Sequence, residues 1–77
     1  MDDDDLVLTE SDRLRFMTGV TAKYSELSGI PLRDAARMFA DNNVYGYLYR
    51  CADQCITKTY RYMARDVADW FGLPLNQ

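Results

Sequence analysis

VYGYLYRC, residues 44–51, carries two periodicities at once, and the choice between them decides the fold. Tyr45, Tyr47 and Tyr49 alternate, as the residues on one face of a strand would. Val44, Tyr47, Leu48 and Cys51 fall equally well on the i, i+3, i+4, i+7 positions of a helical stripe. A strand here needs a partner. The one candidate is ITKTYRY at 56–62, which would give a hairpin of 44–50 with 56–62 and an α+β fold. The helical reading is preferred, because Asn42 and Asn43 just upstream are good helix caps. On that reading Val44, Tyr47, Leu48 and Cys51 face the core.

Residues 54–58 read as a connection to a last helix that begins near Thr57 or Thr59 and runs to Phe71. Tyr60, Met63, Val67, Trp70 and Phe71 form its expected buried stripe. Gly72 supplies the stop, Leu73 folds back on the helix and Pro74 prevents continuation. Upstream, Ser28-Gly29-Ile30-Pro31 is the clearest punctuation in the chain. Gly29 suits the left-handed position after a helix, and Pro31 suits the first turn of the next. That next helix spans about 32–40, with Leu32, Ala35, Ala36 and Phe39 expected inward. The helix before Gly29 starts at an N-cap that is either Thr9 or Ser11. Its stripe is Phe16, Met17, Val20, Tyr24 and Leu27, and Gly19 within it permits close approach by a neighbour. The expectation is a small all-α single domain of four helices over 9–73. It is preceded by an acidic flexible tail and apolar arm at 1–8 and followed by a short tail at 74–77.

The chain has 77 residues with 9 basic and 12 acidic side chains, hence a net charge of -3. Four of the acids are Asp2 to Asp5, a like-charge run that repels itself. The remainder is 9 basic against 8 acidic, a net of +1. A near-neutral body lacks the basic footprint of a nucleic-acid binder. The N-terminus is acidic, Leu6-Val7-Leu8 is too short for a signal peptide's apolar core, and no apolar run approaches a membrane span. Two cysteines without an export signal read as free thiols in a cytoplasmic protein.

No histidine is present, which removes the commonest acid/base group and metal ligand. The four glycines are isolated, so no phosphate-cradling loop exists. Asp66 and Asp69, one turn apart, read as a solvated helix face. Cys51 and Cys55 are half of a structural zinc site with no further ligand of that type, and the simpler reading is small buried hydrophobes. The expectation is a protein with no enzymatic activity, no cofactor and no metal.

What remains is an aromatic surplus. If Tyr47 and Tyr60 face inward, Tyr45, Tyr49 and Tyr62 are turned at least partly outward. Tyrosine is enriched at protein interfaces. Lys58, Arg61 and Arg65 form a basic stripe at i, i+3, i+7, and Arg50 adds a fourth charge. The expected partner-binding set is Tyr45, Tyr49, Arg50, Lys58, Arg61, Tyr62 and Arg65. The second and third helices also sketch a helix-turn-helix. A recognition helix with three tyrosines and one arginine suits the major groove poorly, because base reading prefers Arg, Asn and Gln. DNA binding or transcription regulation is therefore the alternative reading.

Ser28-Gly29, Met38-Phe39, Asn43-Val44, Tyr47-Leu48, Tyr62-Met63, Asp66-Val67 and Trp70 together resemble a family of short bacterial proteins grouped as a domain of unknown function. The resemblance covers about residues 16–71 and rests mainly on core positions. Cys55-Ile56 stands where the family pattern often carries a Leu-His pair, so no role tied to that histidine carries over. The resemblance implies a compact helical domain, often encoded beside a protein that resembles ADP-ribosyltransferases. It thereby implies a toxin–antitoxin-like pair in which this chain is the non-catalytic partner. Protein partners are expected, either such a toxin-like neighbour or a second copy of the chain.

Overall fold

Thr9, rather than Ser11, starts the longest helix. Its hydroxyl accepts from the Asp12 amide at 3.0 Å, and the Asp12 carboxylate accepts from the Thr9 amide at 3.1 Å. This reciprocal capping box satisfies two donors that the helix itself cannot. The Thr9 amide bond, above all, holds the Asp12 carboxyl below the usual carboxylate range.

The computed structural model describes residues 8–75 and contains four helices: α1 (Glu10–Ser28), α2 (Leu32–Asp41), α3 (Val44–Cys55) and α4 (Tyr60–Phe71). No strand occurs among the described residues, so the chain is all-α and the hairpin alternative falls. The expected acidic run at Asp2 to Asp5 and most of the apolar arm lie outside the described residues. Leu8 packs against the core.

The helix ends follow the punctuation closely. Gly29 and Gly72 take φ of 79° and 69°, the left-handed region in which a side chain is strained. Beyond Gly72, the Leu73 amide reaches back to the Ala68 carbonyl at 2.8 Å and closes α4. Thr59 caps the start of α4 by accepting from the Tyr62 amide at 3.0 Å. The asparagines behave differently from expectation. Asn43 makes no side-chain cap bond and instead adopts φ 60°, which asparagine tolerates better than most residues. Asn42 closes α2 by donating to the Met38 carbonyl at 2.8 Å. α3 also continues through Gln54 and Cys55, which sequence patterning gave to a connection. No glycine or proline interrupts it there, and the buried Ala52 keeps that turn on the core.

α1 lies at the centre and packs against all three other helices, most extensively α4. Phe16, Val20 and Tyr24 of α1 meet Ala35 and Phe39 of α2, Val44, Leu48 and Ala52 of α3, and Met63, Ala64, Val67 and Ala68 of α4. The small residues let α4 approach closely. Gly19 serves the same end: a Cβ there would stand 2.7 Å from Cε1 of Tyr60, whose ring lies over the glycine. The Tyr24 hydroxyl donates to the Pro74 carbonyl, and Leu75 packs on the core, so residues 74–75 lie against the body.

Three residues expected inside lie at the surface. Leu32 is 54 % exposed because it opens α2, a full turn before the first buried position, Ala35. Tyr60 likewise opens α4 and covers Gly19 from outside. Trp70 is 73 % exposed. The buried face of α4 is completed by Met63, Ala64, Val67 and Ala68, which leaves Trp70 on the flank shared with Asp66, where α3 packs only sparsely against α4.

Candidate protein-interaction face

The Thr59 cap fixes the first turn of α4 and sends Arg61 and Tyr62 away from the core. Tyr62 is 53 % exposed, and the Lys58 ammonium sits 5.2 Å from its ring centroid, within cation–π range. Arg65 and Asp69 follow at one-turn intervals, both exposed, and Trp70 ends the row. Tyr62 and Trp70 are eight residues apart, about 12 Å along the axis at the usual helical rise. Lys58, Arg61 and Arg65 make no ion pair among the described residues. The outer face of α4, with Lys58 just before it, therefore carries two large aromatic side chains and three cations.

The α3 members of the expected set have other occupations. Tyr45 is half-buried with its ring edge-on to Phe39 at 5.6 Å. Its hydroxyl lies 2.9 Å from Thr21 Oγ1, which itself donates to the Met17 carbonyl at 2.8 Å, so Tyr45 is the donor of the pair. Tyr49 donates to Glu10 at 2.8 Å, which raises its pKa, and the Arg13 guanidinium covers its ring at 4.9 Å. Arg50 is exposed on α3, and no hydrogen bond among the described residues ties it to α4. Of the seven residues proposed from sequence, Lys58, Arg61, Tyr62 and Arg65 come together on one face. Tyr45 and Tyr49 have hydroxyls bonded within the molecule.

Between α3 and α4 lies a half-buried cluster. Tyr47 donates to Asp66 at 3.1 Å and packs edge-on to Phe71 at 5.6 Å. Burial, with the Asp66 bond second, pushes the Tyr47 phenol up to about 12. Burial, with the neighbouring Cys55 thiol second, pushes the Cys51 thiol from 9.0 to about 12. A thiol held protonated at neutral pH is a poor nucleophile. Both cysteines are free thiols, and no group of three acidic or sulfur ligands that could hold a metal occurs among the described residues.

These shifts set the alkaline limit of the fold. A group whose folded pKa lies above its unfolded value contributes fully below the unfolded value and loses that contribution as pH rises toward the folded one. Stability is thus expected to hold to about pH 9 and to fall between there and pH 12, as Cys51 and Tyr47 ionise on unfolding. Thermal midpoints measured across this range should drop steeply in the wild type. The drop should be shallower in Tyr47→Phe; an unchanged slope would remove Tyr47 as a cause.

Open depressions also mark the surface of the described residues. One, of about 640 Å³, lies beside the end of α4, between Arg65, Asp69 and Leu75. Another, of about 370 Å³, lies between α1 and the start of α4, among Arg15, Ile56 and Tyr60. No family model, no curated protein and no solved structure matches the chain. Among the described residues no helix is long and apolar enough to cross a membrane.

Proposed function

We propose that this chain is a non-enzymatic protein-interaction module whose contact surface is the outer face of α4. The observation that carries the reading is Trp70, the most exposed large apolar side chain of the described residues, sharing a helix with the exposed Tyr62 and with Arg61 and Arg65, and with Lys58 just before that helix. Tryptophan, tyrosine and arginine are the residues that dominate binding energy at protein interfaces. The partner expected from the family resemblance is a toxin-like enzyme encoded nearby, with acidic groups meeting Arg61 and Arg65.

The test is co-purification with the neighbouring gene product, and rescue of growth when that product is expressed. Trp70→Ala with Tyr62→Ala should weaken capture by about thirtyfold, the equivalent of roughly 2 kcal/mol for loss of a hot spot. The fold should survive, since exposed positions change stability by about 0.5 kcal/mol or less. Undiminished capture by the double variant would overturn the assignment of the face. Salt-sensitive retention on DNA, lost in Arg61→Glu with Arg65→Glu, would favour the nucleic-acid alternative instead.

A further inference from the structure

α4 carries its charges on the wrong ends. A helix favours acidic residues in its first turn and basic residues in its last, because the peptide dipoles leave partial positive charge at the N-terminus and negative charge at the C-terminus. α1 meets the first half of this rule with Glu10 and Asp12 in its first turn, and α2 with Asp34, although neither has a base in its last turn. α4 has no acid in its first turn and no base in its last. Lys58 precedes it, Arg61 lies in its first turn, Arg65 follows one turn on, and Asp69 stands in its last turn. Arg61 and Arg65 also repel one another at i, i+4.

An antiparallel neighbour of the same kind would set the cationic first turn of each helix against Asp69 and the carbonyl end of the other. We propose that two copies of this chain pair through the outer faces of α4, antiparallel about a twofold axis near the middle of the helix. The proposal rests on the reading of this face as an interaction surface and names its partner. In such a pair each copy's Arg61 lies beside the other's Asp69 and the carbonyl end of its helix, while Arg65 lies near the axis. Each copy's Asp69 lies beside the other's amide end and its cations. Each Trp70 comes opposite the half of the partner helix that carries Tyr62 and Arg65, where a guanidinium or an aromatic edge suits an indole face. A twofold contact of this kind is self-complementary and closes after two copies, so it does not build fibres.

The size of the surface sets the strength. Four aromatic rings at about 150–250 Å² each supply at most roughly 600–1,000 Å². That is the low end for specific association, so the pairing has a Kd on the order of micromolar rather than nanomolar.

Sedimentation equilibrium of the full chain over a range spanning that Kd is the test. The wild type should pass from monomer to dimer, more weakly at high salt because exposed charges are screened. Trp70→Ala should weaken the dimer by tenfold or more. Arg61→Glu with Arg65→Glu makes an acidic face and Asp69→Lys a basic one. Each variant alone should stay monomeric, and an equimolar mixture of the two should form a heterodimer. Circular dichroism on each variant checks that it remains helical. A wild type that stays monomeric throughout, a Trp70→Ala dimer as tight as the wild type, or a mixture that does not associate would overturn the pairing. A monomer whose Trp70 emission shifts when Asp2 to Asp5 are changed to serine would put the chain's own acidic segment on this face, and would equally overturn it. If the chain is monomeric but Trp70→Ala still weakens capture of the neighbouring gene product, only the pairing fails. If Trp70→Ala alters neither, the interaction reading fails as well.

Discussion

Phe39→Ala is expected to remove a large part of the chain's stability, about 3–5 kcal/mol. Phe39 is fully buried, with the Tyr24 ring 5.2 Å away on one side and the edge of Tyr45 at 5.6 Å on the other. Truncation removes the transfer energy of the ring and leaves a cavity that two tyrosines with hydroxyls bonded elsewhere cannot collapse to fill. Such changes cost about 3–5 kcal/mol. A domain of 77 residues has roughly 4–12 kcal/mol to lose at the usual stability per residue. The same helix supplies the control. Leu32→Ala removes an apolar side chain of similar size from the solvent side and should cost about 0.5 kcal/mol or less. Urea denaturation followed by circular dichroism compares the two. Equal effects would mean that α2 docks in a different orientation.

The contrast between Phe39 and Leu32 also shows what periodicity can and cannot decide. Four helices, their order and most of their ends were readable because the chain states them in strong local chemistry: Thr9 and Thr59 as caps, Gly29 and Gly72 as left-handed stops, Pro31 and Pro74 beyond them. The double reading of 44–51 resolved in favour of the helix because Tyr47 and Cys51 pack on the core together with Val44 and Leu48, whereas an alternating strand would turn the first two to the opposite face. Leu32, Tyr60 and Trp70 lay on or beside the right stripe, yet each stands at the surface. A stripe gives the angle around a helix but not how far along it a neighbour extends. Whether the end of a stripe is covered depends on the other helices, and that is tertiary information.

The candidate face was half readable for the same reason. Lys58 lies just before α4, and Arg61, Tyr62 and Arg65 lie within its first half, so their placement together follows from sequence spacing. Trp70 was the member missed. It sits three residues after buried Val67 and next to buried-side Phe71, so hydropathy alone assigns it inward. The signal that could have found it is the presence of two small residues, Ala64 and Ala68, on α4. They place the helix close to α1 and turn its buried face away from Trp70. Spacing alone turns Tyr45 and Tyr49 outward, and nothing in local sequence announces that Thr21 and Glu10, more than twenty residues earlier, accept their hydroxyls.

Arg13→Ala is expected to cost about 2 kcal/mol, the scale of losing a hydrogen-bonded charged group. Arg13 ordinarily reads as one more charge on the wet face of α1. In the fold its side chain is only 17 % exposed and joins α1 to α3 three ways. One end of the guanidinium donates to the Tyr49 carbonyl at 2.8 Å, the other to Asp53 at 2.8 Å, and its plane covers the Tyr49 ring. Lysine cannot span that fork, so Arg13→Lys should recover only part of the loss. Asp53→Ala should cost less than Arg13→Ala, because Asp53 is mostly exposed and exposed pairs contribute about 1 kcal/mol or less. A double-mutant cycle between the two positions isolates their coupling. The location of the damage is the sharper test. Because α1, and not α4, fastens the end of α3, hydrogen exchange in Arg13→Ala should quicken over residues 49–55 and stay unchanged across 63–68. Uniform loss of protection would show that the clasp supports the whole core. Local loss would show that the C-terminal end of α3 is held by α1, while α4 meets α3 only near Tyr47, the arrangement that leaves Trp70 and Tyr62 exposed.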